Sequence, residues 1–280
     1  MPHDGTNESA PLSRRSMEKL FDTHAHYYDR RFQSAEGGVD ALLQQLFAEE
    51  VAGIVNVGTE PENSRRVVAD AARWEGMYAA VGIHPTDGQE LADIDGALCE
   101  IEAMLGTPES RRRDKIVALG EIGLDYYWEH DKALQAYMLE AQLDMAIKAG
   151  VPVIIHDRDA HGDCFDAVCK KPAARGVFHS YSGSAEMAKD LCRRGWYISF
   201  SGVATFQNAP KVREAIAVVP NDRILIETDA PYLTPVPFRG KMNHSGLMRY
   251  TAEAVAEVKG MDTDALIRLT RENAERLFGI

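Results

Sequence analysis

The sequence predicts an α/β fold, a (β/α)8 barrel, from three observations. Eight short apolar runs alternate with helix-like segments. The runs recur roughly every 30 residues, the size of one strand–helix–strand unit. Several of them, such as Val151-Pro152-Val153-Ile154-Ile155, are almost continuously apolar, as parallel strands covered on both faces must be. An open doubly wound sheet would carry a Gly-rich phosphate loop after its first strand. Here that strand runs into Thr23-His24-Ala25-His26 with no GxGxxG, which favours closure into a barrel.

In chain order, the apolar runs place strands at Leu20–Thr23, Gly53–Val57, Tyr78–Val81, Ile116–Gly120, Val151–Ile155, Gly176–Phe178, Trp196–Phe200 and Ile224–Glu227. Helical patterns between them include Val39–Glu50, Asn63–Glu75, Ala133–Ala149, Ala185–Arg194 and Pro210–Val218. Leu247–Lys259 reads as the last barrel helix, and Asp262–Leu269 with Glu272–Phe278 as a packing appendage. Residues 1–18 are polar and rich in Ser, Asn, Pro and Arg, so they read as a flexible extension; 19–280 read as one barrel domain. The whole chain, 280 residues, is close to the roughly 250 typical of one such barrel. No Pro/Gly/Ser linker or low-complexity segment follows residue 20.

Hydrophobic residues make up 45% and charged residues 26%, enough for a sizeable core and against a largely disordered chain. A net charge of −12 argues against a broad phosphate-binding surface. A nucleic-acid substrate would instead be held locally, at an end, with bound divalent cations supplying the positive charge. Cys99, Cys164, Cys169 and Cys192 form no CxxC pair and suggest neither a zinc knuckle nor a disulfide framework, which points to a reducing, cytoplasmic compartment. No apolar run reaches the length of about 18 residues that a membrane-spanning helix needs, so no membrane partner is expected. The N-terminus lacks the apolar core of a secretory signal.

The chemistry starts at His24-Ala25-His26. Two residues apart on a strand, both imidazoles project to one face and can reach one metal. A pair of hydrogen-bonded surface histidines is the alternative, and position decides between them. Glu121, His156, His179 and Asp229 follow the fourth, fifth, sixth and eighth predicted strands, on the rim where barrel enzymes carry their catalytic groups. Four histidines and two carboxylates converging there suit two divalent cations.

The segments Phe21-Asp22-Thr23-His24-Ala25-His26, Val81-Gly82-Ile83-His84-Pro85, Gly120-Glu121-Ile122-Gly123-Leu124-Asp125-Tyr126, Ile155-His156-Asp157-Arg158, Phe178-His179-Ser180 and Glu227-Thr228-Asp229-Ala230-Pro231-Tyr232-Leu233 resemble the TatD family of metal-dependent deoxyribonucleases. The likeness runs from about Leu20 to Asn273-Ala274-Glu275-Arg276-Leu277-Phe278-Gly279. HxH alone is shared across the wider amidohydrolase superfamily, whereas GEIGLDY together with ETDAPYL is specific. Many binuclear amidohydrolases bridge their metals with a carboxylated lysine at the end of strand 4. This chain has Glu121 there, and Lys115 stands at the wrong end of that strand.

The resemblance implies that His24, His26, Glu121 and Asp229 hold one cation and Glu121, His156 and His179 a second, as zinc, magnesium or manganese. It also makes Asp229 the group that orients and deprotonates the attacking water. His84 is expected to contact the scissile phosphate or leaving group, Arg158 to grip a phosphate, and Glu227 to fix a ligand histidine. Tyr126, Tyr127 and Trp128 would form a stacking platform for an unpaired base. His3, His130, His161 and the Arg111-Arg112-Arg113 run read as solvated, the last as a loop. Gly202, Asn208 and the stretch 199–206 resemble a family segment that lines the pocket. Family members often carry Arg…Asn-x-Pro after ETDAPYL; here Arg239 and Asn243 are followed by His244-Ser245 without the proline, which bears on substrate preference.

The implied activity is a 3′–5′ exonuclease acting on DNA ends, single-stranded by preference, with no obligate protein partner. An ester or amide hydrolase, such as an aminoacyl-tRNA deacylase, would need the same ligand set. A non-catalytic scaffold that kept the barrel is the third reading, and the presence of all six ligands speaks against it.

Overall fold

The structure, a computed structural model, describes residues 17–280, so all but Met17 and Glu18 of the expected extension lie outside the described residues. Its strands are β1 (Leu20–Ala25), β2 (Val51–Val57), β3 (Met77–Val81), β4 (Ile116–Asp125), β5 (Val153–Arg158), β6 (Gly176–Phe178), β7 (Tyr197–Phe200) and β8 (Ile224–Ile226). Its α-helices are α1 (Gly38–Glu49), α2 (Pro61–Arg73), α3 (Ile94–Leu105), α4 (Pro108–Asp114), α5 (Lys132–Ala149), α6 (His161–Lys170), α7 (Ala185–Arg193), α8 (Pro210–Val218), α9 (Met248–Lys259) and α10 (Thr263–Phe278). The strands pair in parallel in the order β1 to β8. The barrel is nearly closed where Ala25 bridges Ala230 and the Asp229 N–H donates to the His24 carbonyl at 2.9 Å.

Local chemistry sets the helix ends. Pro61 and Pro108 start α2 and α4 inside reciprocal capping boxes, Glu60 with Asn63 and Thr107 with Ser110. Asp131 and Asp262 cap α5 and α10, and Gly150 closes α5 in the left-handed conformation.

The buried side chains separate by strand parity. Leu119, Ile155, Phe178 and Ile198 belong to the shell between strands and helices. Phe21, Val55, Ala80, Ala118, Ile154, Val177, Tyr197 and Leu225 form a second cluster with Ala274, Leu277 and Phe278 of α10. That second set is the barrel interior at its N-terminal end, plugged from below by the end of α10.

Three expectations are corrected. β1, β4 and β5 run further than the apolar runs suggest, so Glu121 and His156 lie within strands rather than after them, and β1 extends past His24 to Ala25. The arginine run lies on helix α4, and Arg111 is buried, donating to the carbonyls of Leu105, Gly106 and Ala149 at 2.7, 3.1 and 2.8 Å. It satisfies the exposed carbonyl ends of α3 and α5, a role a run of three like charges does not announce. The appendage is one helix: Thr270 is buried and turns its hydroxyl back onto the Leu266 carbonyl, so the polar break at 270–271 does not end it.

Candidate metal centre

At the C-terminal end of the barrel the inward-facing rows change character. The next inward residue after Ile154 is His156, after Val177 it is His179, and after Leu225 come Glu227 and Asp229. A register shift between Asp22 and Ala25 brings both His24 and His26 into the same space. Gly123 lets β4 approach: its φ of +149° and the 1.9 Å that would separate a Cβ from the His156 carbonyl oxygen leave room for no side chain.

The donor atoms form two sets sharing one carboxylate. In the first, His24 Nε2 and His26 Nε2 are 3.0 Å apart. Glu121 Oε2 lies 3.3 and 3.6 Å from them, and Asp229 Oδ1 3.7 and 3.4 Å. In the second, Glu121 Oε1 lies 2.7 Å from His156 Nδ1 and 2.8 Å from His179 Nε2, which are 3.2 Å apart. Metal–ligand bonds of about 2.0–2.2 Å put neighbouring donors of one coordination sphere roughly 2.8–3.6 Å apart. Both sets match that spacing closely. Four imidazoles and two carboxylates, with His24, His26, Glu121 and His179 buried and His156 and Asp229 partly so, fit divalent cations in donor chemistry as well as in distance.

Around these donors stand groups that fix their orientation. His26 Nδ1 is bonded to the Val57 carbonyl (2.8 Å), His156 Nε2 to Asp125 Oδ2 (3.1 Å) and His179 Nδ1 to Glu227 Oε1 (3.2 Å). Asp22, fully buried, accepts from the N–H groups of His24 and Thr228 and from the Thr228 and Ser245 hydroxyls, tying β1 to the segment that carries Asp229. Burial pushes its carboxyl up to about 6. Asp229 itself adopts φ +56°, an uncommon conformation for a residue with a side chain, at the turn leaving the barrel wall.

The charges are mutually dependent. Burial works against ionisation of Glu121, but His179 beside it and the hydrogen bond from His156 hold its carboxyl well below the usual range. Burial likewise opposes ionisation of Asp229, and His26 and His24 outweigh it. His179 is disfavoured as a cation by burial, yet Glu121 and Glu227 raise it well above an ordinary histidine. His84 is different: burial pushes it down to about 3, so it is neutral. Its Nδ1 lies 2.8 Å from the Thr86 hydroxyl and 3.2 Å from the Thr86 N–H, and its Nε2 lies 3.6 Å from Glu121 Oε1. His84 therefore turns its Nε2 edge toward Glu121 and the cavity.

These groups line a cavity of about 740 Å³ whose wall also carries Tyr28, Thr59, Asp87, Trp128, Arg158 and Tyr232. All six expected ligands come together, and His84 and Arg158 join them on the wall. β5 persists to Arg158, whose guanidinium stacks 3.8 Å over the Tyr127 ring, with no carboxylate within 4.0 Å among the described residues. Tyr126 does not line the cavity; its hydroxyl donates to Asp163 at 2.7 Å and Lys132 sits over its ring. His161 opens α6 bonded to Asp157, and His130 lies in the loop before α5. The sequence reading missed Asp125 as an orienting group and Tyr28, Thr59 and Asp87 as wall residues. Asp125 had one available signal: it stands four residues beyond Glu121 in the same run. Ser245, in place of the family proline, bonds Asp22 and Tyr27 from below, and Asn243 holds the carbonyls of Thr228 and Tyr232.

Comparison with known proteins agrees with this geometry. Residues 21–279 match the family described as TatD related DNase. The chain is 38% identical to the uncharacterized metal-dependent hydrolase YabD of Bacillus subtilis, over 93% of this chain and 99% of that protein. It is 34% identical to the uncharacterized metal-dependent hydrolase TatD of Mycobacterium tuberculosis, over 93% and 98%. The crystal structure of YjjV, a TatD homolog from Escherichia coli K12, superposes with a TM-score of 0.84 at 30% identity, covering 93% of this chain and 98% of that one.

Proposed function

The chain belongs to the TatD-related family of metal-dependent hydrolases, and from that membership and the shared-carboxylate donor sets we propose that it is a deoxyribonuclease removing nucleotides from the 3′ ends of single-stranded DNA. The observation that carries the proposal is the division of Glu121, one oxygen toward His24 and His26 and the other toward His156 and His179. His24, His26, Glu121 and Asp229 would hold one divalent cation and Glu121, His156 and His179 another, as zinc, manganese or magnesium. Bound there, the cations would polarise a phosphoryl oxygen and supply the positive charge that a chain of net charge −12 lacks.

The remaining steps belong to the side chains. Asp229, kept ionised by His26 and His24, can accept the proton of the attacking water. His84, held neutral by burial and facing the cavity with Nε2, would donate a hydrogen bond from Nε2–H to a phosphoryl or leaving oxygen without adding charge. Arg158, with no acidic partner among the described residues, grips a neighbouring phosphate in a fork. Base stacking passes from Tyr126 to Trp128, which stands on the cavity wall and is half exposed. One barrel domain, 19–280, would carry the activity, in the cytoplasm and without an obligate protein partner. The four free cysteines support a reducing compartment, and among the described residues no helix is long and apolar enough to cross a membrane.

Asp87 on the cavity wall supports a second reading, since a carboxylate beside the donor sets would suit the ammonium group of an aminoacyl ester. One assay separates the two. A 5′-labelled single-stranded oligonucleotide and an aminoacyl ester are each incubated with zinc, manganese or magnesium and with wild type or Asp229→Asn. Stepwise shortening of the DNA, lost in Asp229→Asn, is the expected result. Ester cleavage with intact DNA would overturn the nuclease and establish the deacylase.

A further inference from the structure

Glu121 has a counterpart on the opposite side of the histidines. The rings of His24 and His179 are stacked, with centroids 4.0 Å apart and planes within 13°. Both present Nε2 to Glu121, at 3.3 and 2.8 Å. Their Nδ1 edges therefore face away from it, toward the barrel interior. Glu227 waits there, with a side chain wholly out of solvent. Its Oε1 takes His179 Nδ1 at 3.2 Å. Among the described residues its Oε2 has no partner, and neither does the buried Nδ1 of His24. One donor atom from each of His24, His179 and Glu227 lies within 4.8 Å of the others. A buried unpaired acceptor and a buried unpaired ring nitrogen each carry a desolvation penalty; they belong to residues whose donor atoms come within 4.8 Å, so a small side-chain movement that joins them would remove both penalties.

We propose that Glu227 is a positioning residue for both cations at once: one oxygen holds His179 Nδ1–H as observed, the other takes His24 Nδ1–H through a small side-chain movement, and the carboxylate so couples the loading of the two metal positions. The proposal rests on the two-cation reading above. A carboxylate is acceptor-only and can serve two N–H donors, which also fixes each imidazole in the tautomer whose Nε2 is free to ligate. His24 belongs to the first donor set and His179 to the second. Ordering one ring by metal orders the carboxylate, and the carboxylate then orders the other ring. Asp125, by contrast, faces only His156 and serves one position.

The test compares zinc uptake by wild type, Glu227→Gln and Asp125→Asn, using competition titration for affinity and elemental analysis for stoichiometry. The thermal midpoint of each metal-free protein reports folding. Wild type should take up two zinc ions per chain. Glutamine keeps the size of the side chain but only one acceptor, so Glu227→Gln should weaken both ions by about 10–100-fold, the usual range for groups that orient a ligand. Asp125→Asn should weaken one. Should Glu227→Gln fail to fold, nitrogen-15 spectra of histidines in the zinc-loaded wild type still decide: both His24 and His179 must keep a proton on Nδ1. A single weakened ion in Glu227→Gln, or a His24 Nδ1 without its proton, overturns the coupling while leaving two cations in place. One zinc ion in wild type would instead fail the two-cation reading and the coupling with it.

Discussion

The two ends of the barrel interior are built from the same strands in the same register, yet they share almost no chemistry. At the N-terminal end the inward positions hold Phe21, Val55, Ile154, Val177 and Leu225, closed by Leu277 and Phe278. One step further along the same rows stand His156, His179 and Glu227. Two residues of a strand span only about 6.6 Å, so a packed apolar plug and a buried ionic cluster lie within a side chain's length of each other. The lower half supplies burial without any polar debt. The upper half gathers titratable groups whose charged forms burial disfavours, and they are held in place by each other, by Asp22 and by Asp125. Stability and chemistry are thus separated along the barrel axis rather than between domains.

The sharpest way to break that separation is to remove the group that both donor sets share. Glu121→Ala should lose both cations and lower turnover by on the order of 10⁴-fold, as for loss of a central catalytic group. Elemental analysis and the oligonucleotide assay read the two effects. The opposite end should respond in the opposite sense. Phe278→Ala deletes a buried ring of the plug and should cost about 3–5 kcal/mol of stability, with cation content unchanged. Loss of the cations in that variant, measured at a temperature where it is folded, would show that the two ends are not independent. Between these lies the effect of the metal itself. Saturation at about 100 times the dissociation constant should raise stability by about 2.7 kcal/mol for each cation bound, about 5.4 kcal/mol for two. Denaturant titrations should find that gain equal in wild type and Phe278→Ala to within about 0.5 kcal/mol, as for separate sites.

The same division explains what could be read in the sequence. The plug and the outer shell follow apolar runs and parity, so the eight strands and their order were legible from pattern alone. The residues of the two donor sets were legible because a strand-end position and a metal-binding residue type coincided at several strands. The strand ends themselves were not. β4 and β5 continue through Glu121 to Asp125 and through His156 to Arg158, because pairing continues where hydrophobicity stops. Polar residues in a barrel wall read as loop unless a partner satisfies them, and their partners are far away in the chain. Asp22, bonded to Thr228 and Ser245, has no local signal at all. Arg111 was misread for the same reason, since its three carbonyl acceptors come from the ends of α3 and α5. Tyr126 was misassigned because a rim aromatic can face either the cavity or the next helix, and the hydroxyl of Asp163's partner decides only in three dimensions.

The smallest expected effect belongs to the rim, outside both halves of the interior. Arg158 stands on the cavity wall with its guanidinium stacked on Tyr127, so the ring already orders the planar group and less freedom is lost when a phosphate binds. Arg158→Ala removes one charge-assisted contact in an exposed position and should raise KM for the oligonucleotide about tenfold, near 1.4 kcal/mol, with kcat little changed. Cation content should stay at the wild-type value, because no donor set includes Arg158. Arg158→Lys should recover only part of the loss, since an ammonium keeps the charge but not the fork or the stacking. Tyr127→Ala should then reproduce a fraction of the Arg158→Ala defect while leaving the charge in place. A fall in kcat with unchanged KM would instead place Arg158 with the reacting atoms, and the boundary between the rim and the ionic half of the barrel would have to be redrawn.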